Sequence, residues 1–465
     1  MGTQVLAEEK DHRFPSQIKY IVGNEACERF SYYGMRSILV VFLVHSLHVL
    51  DSEAKGIYHL FVSANYFFPL FGGFLADRFV GKYRTIFWLS LIYCMGNATM
   101  ALFDSTLNGV YSGLFLIALG AGGIKPCVAA FVGDQFTSKN SHLINKVYEL
   151  FYFSINFGSF FSVLSIPYFY GKYGPSVAFA IPGILMGLAT IIFWAGRHCY
   201  VHVPPSGKEQ SAQFWGVIFH GIYRRVTGTA PREGQSFLDL SREKYGDERV
   251  EGAKSVLAVF KVLIAVSAFW ALFEQNGSSW VLQAQQMDRH WLGVHWEAAQ
   301  IAALNPILVM LLIPFFSFVV YPGFQKMGFE VTPLRKMGAG MLTTGFAFLY
   351  VGVLQSFLDR GIAVNVGWQF FGWAILTASE IMVSITGLEF AYTQAPKAMK
   401  STVMSLWLLT VTAGNLFTAL IEFLNHFHGA GEFYFFANVM FVIAVIFVFM
   451  ATRYQYRSYL VDVGS

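Results

Sequence analysis

Residues 23–41 read GNEACERFSYYGMRSILVV. The chain around them is apolar from about residue 18 to 48, long enough to cross a bilayer as a helix. Four ionised groups nevertheless fall inside it: Glu25, Glu28, Arg29 and Arg36. Each costs about 2.5–3.5 kcal/mol at a helix centre on insertion scales. At about 100° per residue, Glu25, Arg29, Tyr32 and Arg36 lie within about 60° of one another, and Glu28 and Tyr33 flank that stripe on opposite sides. Such a stripe must face water or polar partners inside a bundle. The alternative, a cluster of charges snorkelling from a helix end, fits poorly, because Arg36 lies about three turns deeper than Glu25.

Composition carries the same message to the whole chain. A soluble protein of 465 residues would form about three domains. Apolar residues make up 55% and charged residues only 13%, whereas soluble domains carry roughly 25% charge. Phe occurs 48 times, which excludes disorder, since disordered chains are poor in aromatics. The chain reads as an all-α membrane protein that crosses the bilayer many times. Four cysteines, Cys27, Cys94, Cys127 and Cys199, form no CxxC pair and are expected as free thiols packed as small hydrophobes. The polar N-terminal stretch MGTQVLAEEKDHRFPSQ gives no expectation of a cleaved signal peptide.

Apolar segments separated by polar breaks predict twelve spans, near 18–48, 57–76, 85–103, 110–132, 148–170, 175–196, 256–284, 299–322, 336–357, 366–391, 402–424 and 432–452. A polar stretch divides them six and six. The expected organisation is an N-terminal six-helix bundle (1–197), a linker (198–255) and a C-terminal six-helix bundle (256–465), two halves as in many secondary transporters. A short amphipathic helix near 212–226 is expected to lie on the membrane surface. If the N-terminus is inside, inner segments hold 24 of the 32 Lys and Arg, and outer loops hold 4, Lys55, Lys172, Arg289 and Arg360. That bias predicts cytoplasmic termini.

Three further charges lie in apolar runs. Lys125 follows the glycines of GAGGIKPC, Glu274 lies in FWALFEQNGSSW, and Glu380 in LTASEIMVS. For each, a salt bridge that merely holds helices together is the competing reading. Taken together, three basic and four acidic groups predict a water-filled cavity able to bind a ligand carrying both charges. Asn156, Asn305 and the aromatics Tyr66, Trp270, Phe273 and Trp407 are candidates for its wall, although any one aromatic is as readily packing. His59, in GIYHLF at the edge of the second span, is a candidate titrating group, with a structural interfacial histidine as its alternative.

Several of these strings together resemble the proton-coupled oligopeptide transporter family, a branch of the major facilitator superfamily. GGFLADRFVGK, from Gly72 to Lys82, is similar to the superfamily's signature between its second and third helices. Sharper are Glu25-x-x-Glu28-Arg29-Phe-x-Tyr32-Tyr33-Gly34, GAGGIKPCVAAFVGDQF around Lys125 and FYFSINFGSF around Asn156. FWALFEQNGSSW and TGLEFAYTQAPKAMKS extend the likeness into the second half. The linker is too polar for the two extra helices that many bacterial members carry there. His59 matches a histidine that animal relatives use in proton coupling, and Glu274 stands where those relatives tend to have Asp. The large outer domain that animal members insert after the ninth span is absent, which points to a bacterial inner membrane.

The resemblance implies the major facilitator fold and uptake of di- and tripeptides by proton symport, with protons as the coupling ion, no cofactor, no metal and no enzymatic activity. Arg29, Arg36 and Lys125 would receive the peptide carboxylate. Asn156, Asn305 and Glu380 would receive its ammonium, and Tyr32, Tyr33, Tyr66, Trp270, Phe273 and Trp407 would form the side-chain pockets. Glu25, Glu28, Arg29, Lys125, His59 and Glu274 would couple the proton, and Arg36 with Glu274 would close an outer gate. The expected partners are peptides, protons and the lipid bilayer, with no nucleic acid and no obligate protein partner.

Three rival classes remain to be separated. A carrier of a simple anion such as nitrate, as plant relatives are, leaves Glu380 without a purpose. An ATP-driven pump needs a GxxxxGK[ST] phosphate loop, and Gly81-Lys82 and Gly207-Lys208 both lack the earlier glycine and the following Ser or Thr. A passive channel fits poorly with two halves of six spans.

Overall fold

The computed structural model describes residues 14–137, 140–205, 210–228, 231, 235–396 and 399–456. The polar N-terminal stretch before residue 14 and parts of the linker lie outside the described residues. Among the described residues the regular structure is helical apart from one two-stranded hairpin, β1 (His290–Trp291) with β2 (Val294–His295), closed through Leu292 and Gly293, both at positive φ.

The helices are α1 (Ile18–His45), α2 (Asp51–Leu75), α3 (Lys82–Leu102), α4 (Leu107–Asp134), α5 (Ile144–Tyr173) and α6 (Pro175–Ala195), then α7 (Gln210–Val226) and the short α8 (Arg242–Tyr245). The second half follows as α9 (Asp247–Leu263), α10 (Val266–Phe273), α11 (Ser279–Gln286), α12 (Leu304–Phe315) and α13 (Tyr321–Lys326). It ends with α14 (Pro333–Asp359), α15 (Gln369–Glu380), α16 (Thr386–Thr393), α17 (Lys400–Leu424) and α18 (Ala430–Thr452). Three π-helical turns, Ala76–Val80, Phe316–Val320 and Ile381–Ile385, continue α2, join α12 to α13 and join α15 to α16, so that broken helices read as single spans.

Among the described residues ten helical stretches are long and apolar enough to cross a membrane, and α9 with α10–α11, bent by 42°, makes an eleventh. The twelfth expected span is α1, whose 28 residues suffice in length but carry Glu25, Glu28, Arg29 and Arg36. Large apolar side chains such as Phe318, Leu102 and Val445 are 79%, 75% and 67% exposed, the reverse of a soluble surface and suited to lipid.

The chain divides into two compact units. The first comprises residues 1–50, 67–207 and 297–303, the second 51–66, 208–296 and 304–465. In the first, α1 packs on α5 and α6, and α3 on α4 and α6. Small residues allow the closest approach: a Cβ built on Gly72 would lie 2.0 Å from the carbonyl oxygen of Gly123, so α2 and α4 meet backbone to backbone. Within the loop signature, Gly81, with a φ of 83°, stops the π turn, and the last residue, Lys82, places its Nζ 2.7 Å from Asp134 Oδ2. The turn Ala298–Ala303 belongs to this unit, and Gln300 Nε2 donates to Leu164 O at 2.6 Å.

In the second unit α10 packs on α17, and α14 packs on α15 and α18. The amphipathic helix forms as α7. Phe214, Val217 and Ile218 are buried, while Trp215, Phe219 and Tyr223 are exposed. The Ser241 hydroxyl donates to Val217 O at 2.8 Å, which ties α7 to the turn Phe237–Ser241. Asp239, at the centre of that turn, gathers Arg242 Nε at 2.6 Å and Lys254 Nζ at 2.7 Å.

Cys127 is buried, Cys27 and Cys94 are half-buried and Cys199 is exposed, so the expectation of buried thiols corrects to one fully buried side chain.

Candidate functional site

Helix α1 holds the charged stripe in the first unit. Its run Glu25 to Arg36 contains no proline, and the next two turns, Ile38 to Leu43, are buried and apolar. Arg29 is the centre. Its Nε lies 3.2 Å from Glu25 Oε1, one turn away, and also pairs with Glu28 Oε2. Glu25, Glu28 and Arg29 are 6%, 1% and 7% exposed, so two carboxylates share one guanidinium out of water. Glu28 Oε1 is buried and meets no donor among the described residues. Lys125 comes from α4, its Nζ 4.7 Å from the centroid of the Tyr32 ring, and the Arg29 guanidinium is 5.7 Å from the same ring. Tyr32 is therefore within cation–π reach of both cations, with Tyr33 edge-on to it at 5.3 Å.

The glycines before Lys125 serve packing: a Cβ on Gly120 would meet the carbonyl oxygen of Leu89 at 2.7 Å. Arg36 is half-buried on α1. Asn156, on α5, donates from Nδ2 to Tyr152 O at 2.9 Å, four residues back, and keeps its side-chain carbonyl oxygen as an acceptor.

The second unit holds the remaining candidates. Asn305, in the first turn of α12, donates from Nδ2 to Glu380 Oε2 at 2.8 Å and to Thr377 Oγ1 at 3.2 Å. Glu380 closes α15, where the π turn Ile381–Ile385 begins. Trp270, Phe273 and Trp407 are buried together, with Trp270 edge-on to Trp407 at 6.1 Å and to Phe273 at 5.8 Å. Tyr66 is half-buried on α2. Glu274 is 2% exposed and opens the 3₁₀ turn Glu274–Gly277 that breaks α10 from α11.

His59 is fully buried. Its Nδ1 lies 2.8 Å from Asn415 Oδ1 and its Nε2 2.9 Å from Ser278 Oγ. Asn415 Nδ2 donates to Val411 O, which leaves Oδ1 to accept from Nδ1 of the imidazole.

One charged group escapes the sequence reading. Lys55, expected as an outer-loop residue, is inside α2, which starts six residues before the apolar run. It is 6% exposed and pairs with Glu422 of α17 at 2.8 Å and with Glu432 of α18. Glu422 and Glu432 stand at the edges of the last two apolar segments. An acid just inside each edge was the only available signal. The interior therefore holds more ionised groups than the seven counted from sequence. Among the described residues no group of three or more His, Cys, Asp or Glu is placed to hold a metal ion.

Comparison with known proteins places the chain in a family. The profile described as "PTR2: POT family" matches residues 83–428. The chain is 37% identical over 395 residues to human solute carrier family 15 member 2, covering 81% of this chain and 54% of that one. It is 37% identical over 365 residues to peptide transporter 3 of Caenorhabditis elegans, covering 75% and 52%. The chain thus spans about half the length of the curated relatives it matches. Among solved structures, the POT family transporter PepTSo superposes with a TM-score of 0.88 at 42% identity, covering 95% of this chain and 99% of that one. An auto-inhibited POT family peptide transporter gives 0.86 at 40% identity, covering 97% and 99%. The fold is the all-α major facilitator type, and the chain belongs to the proton-dependent oligopeptide transporter (POT) family.

Proposed function

We propose that this chain is a proton-coupled symporter that imports di- and tripeptides by alternating access, a transporter and not an enzyme. The observation that carries the reading is the buried group on α1, in which Glu25 and Glu28 share Arg29 while Lys125 stands over Tyr32. Two carboxylates crowd one guanidinium, and a proton taken up by one of them relieves that crowding at little cost in packing. A protonated Glu28 loosens its hold on Arg29, which then turns to a substrate carboxylate, so proton and peptide enter together.

The two poles account for substrate class. Arg29, Arg36 and Lys125 offer a carboxylate three cations. Glu380, fixed by Asn305, offers an ammonium an anion, with Asn156 as a further acceptor. A di- or tripeptide carries both charges, and each residue adds up to ~3.3–3.6 Å between them. Tyr32, Tyr33, Tyr66, Trp270, Phe273 and Trp407 accept varied side chains through non-directional contact. Arg36 and Glu274 act as gate charges, and His59 with Glu274 as a second proton-sensitive pair. The proposed organisation is two six-helix bundles (1–197 and 256–465) joined by a linker (198–255). Both termini lie on the cytoplasmic side of a bacterial inner membrane, and the bias of basic residues, 24 on inner segments against 3 in outer loops once Lys55 is placed in α2, supports that orientation.

The test is uptake of radiolabelled dialanine by proteoliposomes under an imposed inward proton gradient. Accumulation that an ionophore abolishes and excess nitrate leaves intact supports the reading. Uptake indifferent to the gradient, or competed by nitrate and not by unlabelled dialanine, overturns it.

A further inference from the structure

Three helix ends of the second unit meet at the Lys55 ammonium. Lys55 comes from the second turn of α2, Glu422 from the last turn of α17 and Glu432 from the first turn of α18. Lys55 Nζ is 2.8 Å from Glu422 Oε2 and pairs also with Glu432 Oε2. Glu432 Oε1 accepts from Ser279 Oγ at 2.7 Å. The three charged residues are 6%, 3% and 5% exposed, so one ammonium faces two carboxylates away from water and a negative charge is left over.

The two acids are not equivalent. Glu432 lies at the N-terminus of α18, where the helix dipole favours an anion, and Ser279 donates to its second oxygen. Glu422 lies at the C-terminus of α17, where the dipole disfavours an anion. Its Oε1 is buried and meets no donor among the described residues.

The other titratable groups on the surrounding elements are engaged or outside. On α2, His59 is held by Asn415 and Ser278, and Asp51 and Glu53 stand in the first turn, exposed and half-buried. Asp359, ending α14, accepts from Ala430 N at 2.8 Å and from Gln355 Nε2 at 2.9 Å. Glu274 is buried in the turn between α10 and α11, and His426 and His428 are exposed in the connection from α17 to α18.

We propose that Glu422 is a proton-binding site separate from the α1 group, and that its protonation neutralises the Lys55–Glu422–Glu432 cluster. When Glu422 is charged, Lys55 ties the beginning of α2 to both α17 and α18. When it is neutral, the ionic hold on α17 is lost. The hydrogen bonds that still attach α2 to α17 are then His59 with Asn415, Ser63 Oγ donating to Thr412 O at 3.1 Å and Thr412 Oγ1 donating to Ser63 O at 3.4 Å. Proton occupancy at Glu422 thereby sets how firmly the first half of α2 is fastened.

The site is tested without peptide and without transport, by infrared difference spectra of the purified protein recorded across a pH titration. A protonated carboxyl carbonyl band is expected to titrate in the native protein, to be lost in Glu422→Gln and to persist in Glu28→Gln. A band unchanged in Glu422→Gln, or lost only in Glu28→Gln, overturns the proposal. Lys55→Gln provides the second reading if Glu422→Gln does not fold. Removing the ammonium is expected to move the midpoint of the same band upward by roughly one pH unit or more, and an unmoved midpoint equally overturns the assignment.

Discussion

Arg29 Nε and Glu25 Oε1 lie 3.2 Å apart on the same face of α1, one helical turn from each other, with Glu28 on the same guanidinium. Removing the charge of Glu28 takes one of the two carboxylates off Arg29 and leaves the guanidinium paired with Glu25 alone. Glu28→Gln is therefore expected to abolish accumulation of dialanine under a proton gradient and to spare exchange of labelled for unlabelled peptide. Full gradient-driven accumulation by that variant in proteoliposomes would show that Glu28 has no coupling role.

The acidic pole makes a different prediction. Glu380 is positioned by Asn305 Nδ2 at 2.8 Å, and a hydrogen bond from an ammonium to its carboxylate is worth about 1.5–3 kcal/mol. Glu380→Gln is expected to raise the KM for dialanine roughly ten- to a hundredfold, and to change that for N-acetyl-dialanine, which has no ammonium, far less. The ratio of the two KM values in native and variant protein is the measurement. Equal loss for both peptides would remove Glu380 from ammonium recognition.

The α1 stripe was legible because ionised groups inside an apolar run are conspicuous whatever the fold. Lys55 was not, because in sequence it precedes its apolar run and looks like a loop lysine. Only the earlier start of α2, with Asp51 and Glu53 in its first turn as the helix dipole favours, carries it inside. Glu422 and Glu432 were hidden for a related reason: an acid at the edge of an apolar segment reads as an interfacial residue until three helix ends are brought to one point. Asn305 and Glu380 were each legible, but their bond joins residues 75 apart in sequence and depends on packing. The 3₁₀ break at Glu274 and the π turn at Phe316 were not legible, because Gly277 and Pro314 beside them equally suit a kink within a continuous span.

His59 is enclosed on both sides, by Asn415 at 2.8 Å and Ser278 at 2.9 Å. Truncating it leaves Asn415 Oδ1 buried and unpaired, at roughly 1–3 kcal/mol, and leaves Ser278 Oγ only its 3.5 Å bond to Gln275 O. His59→Ala is expected to melt well below the native protein in detergent. His59→Gln, which still offers one donor and one acceptor, should fall between them. Identical melting of His59→Ala and the native protein would mean that the enclosure contributes nothing to stability.

Asp239 ties the linker to α9. Burial alone would raise its pKa, but hydrogen bonds from Lys254, the Ser236 backbone N–H and Arg242 outweigh that and hold the carboxyl well below the ordinary range. A carboxylate depressed in the folded state contributes stability that is present above its unfolded pKa of about 3.9 and is lost as pH falls below it. Asp239→Asn is expected to raise hydrogen exchange in residues 236–254 roughly tenfold at neutral pH, for a loss of roughly 1–3 kcal/mol. It should also remove the extra exchange seen on acidification once intrinsic rates are subtracted. An unchanged exchange pattern at neutral pH would count against Asp239 as the anchor.

Two neighbouring glycines on α2 give the sharpest test of the packing. A Cβ on Gly72 would lie 2.0 Å from the carbonyl oxygen of Gly123, whereas one on Gly73 would meet only Pro126 Cγ, at 3.9 Å. Overpacking a core costs typically about 1–3 kcal/mol when side chains can move aside. Here the obstacle is backbone, and α4 itself must shift, carrying the segment that holds Lys125. Gly72→Ala is therefore expected to lower both the melting temperature in detergent and the affinity for dialanine. Gly73→Ala, in ordinary contact, should stay within about 0.5 kcal/mol of the native protein. Fluorescence-detected melting together with peptide binding separates the two variants, and native-like behaviour of Gly72→Ala would mean that α2 and α4 do not approach this closely in the membrane.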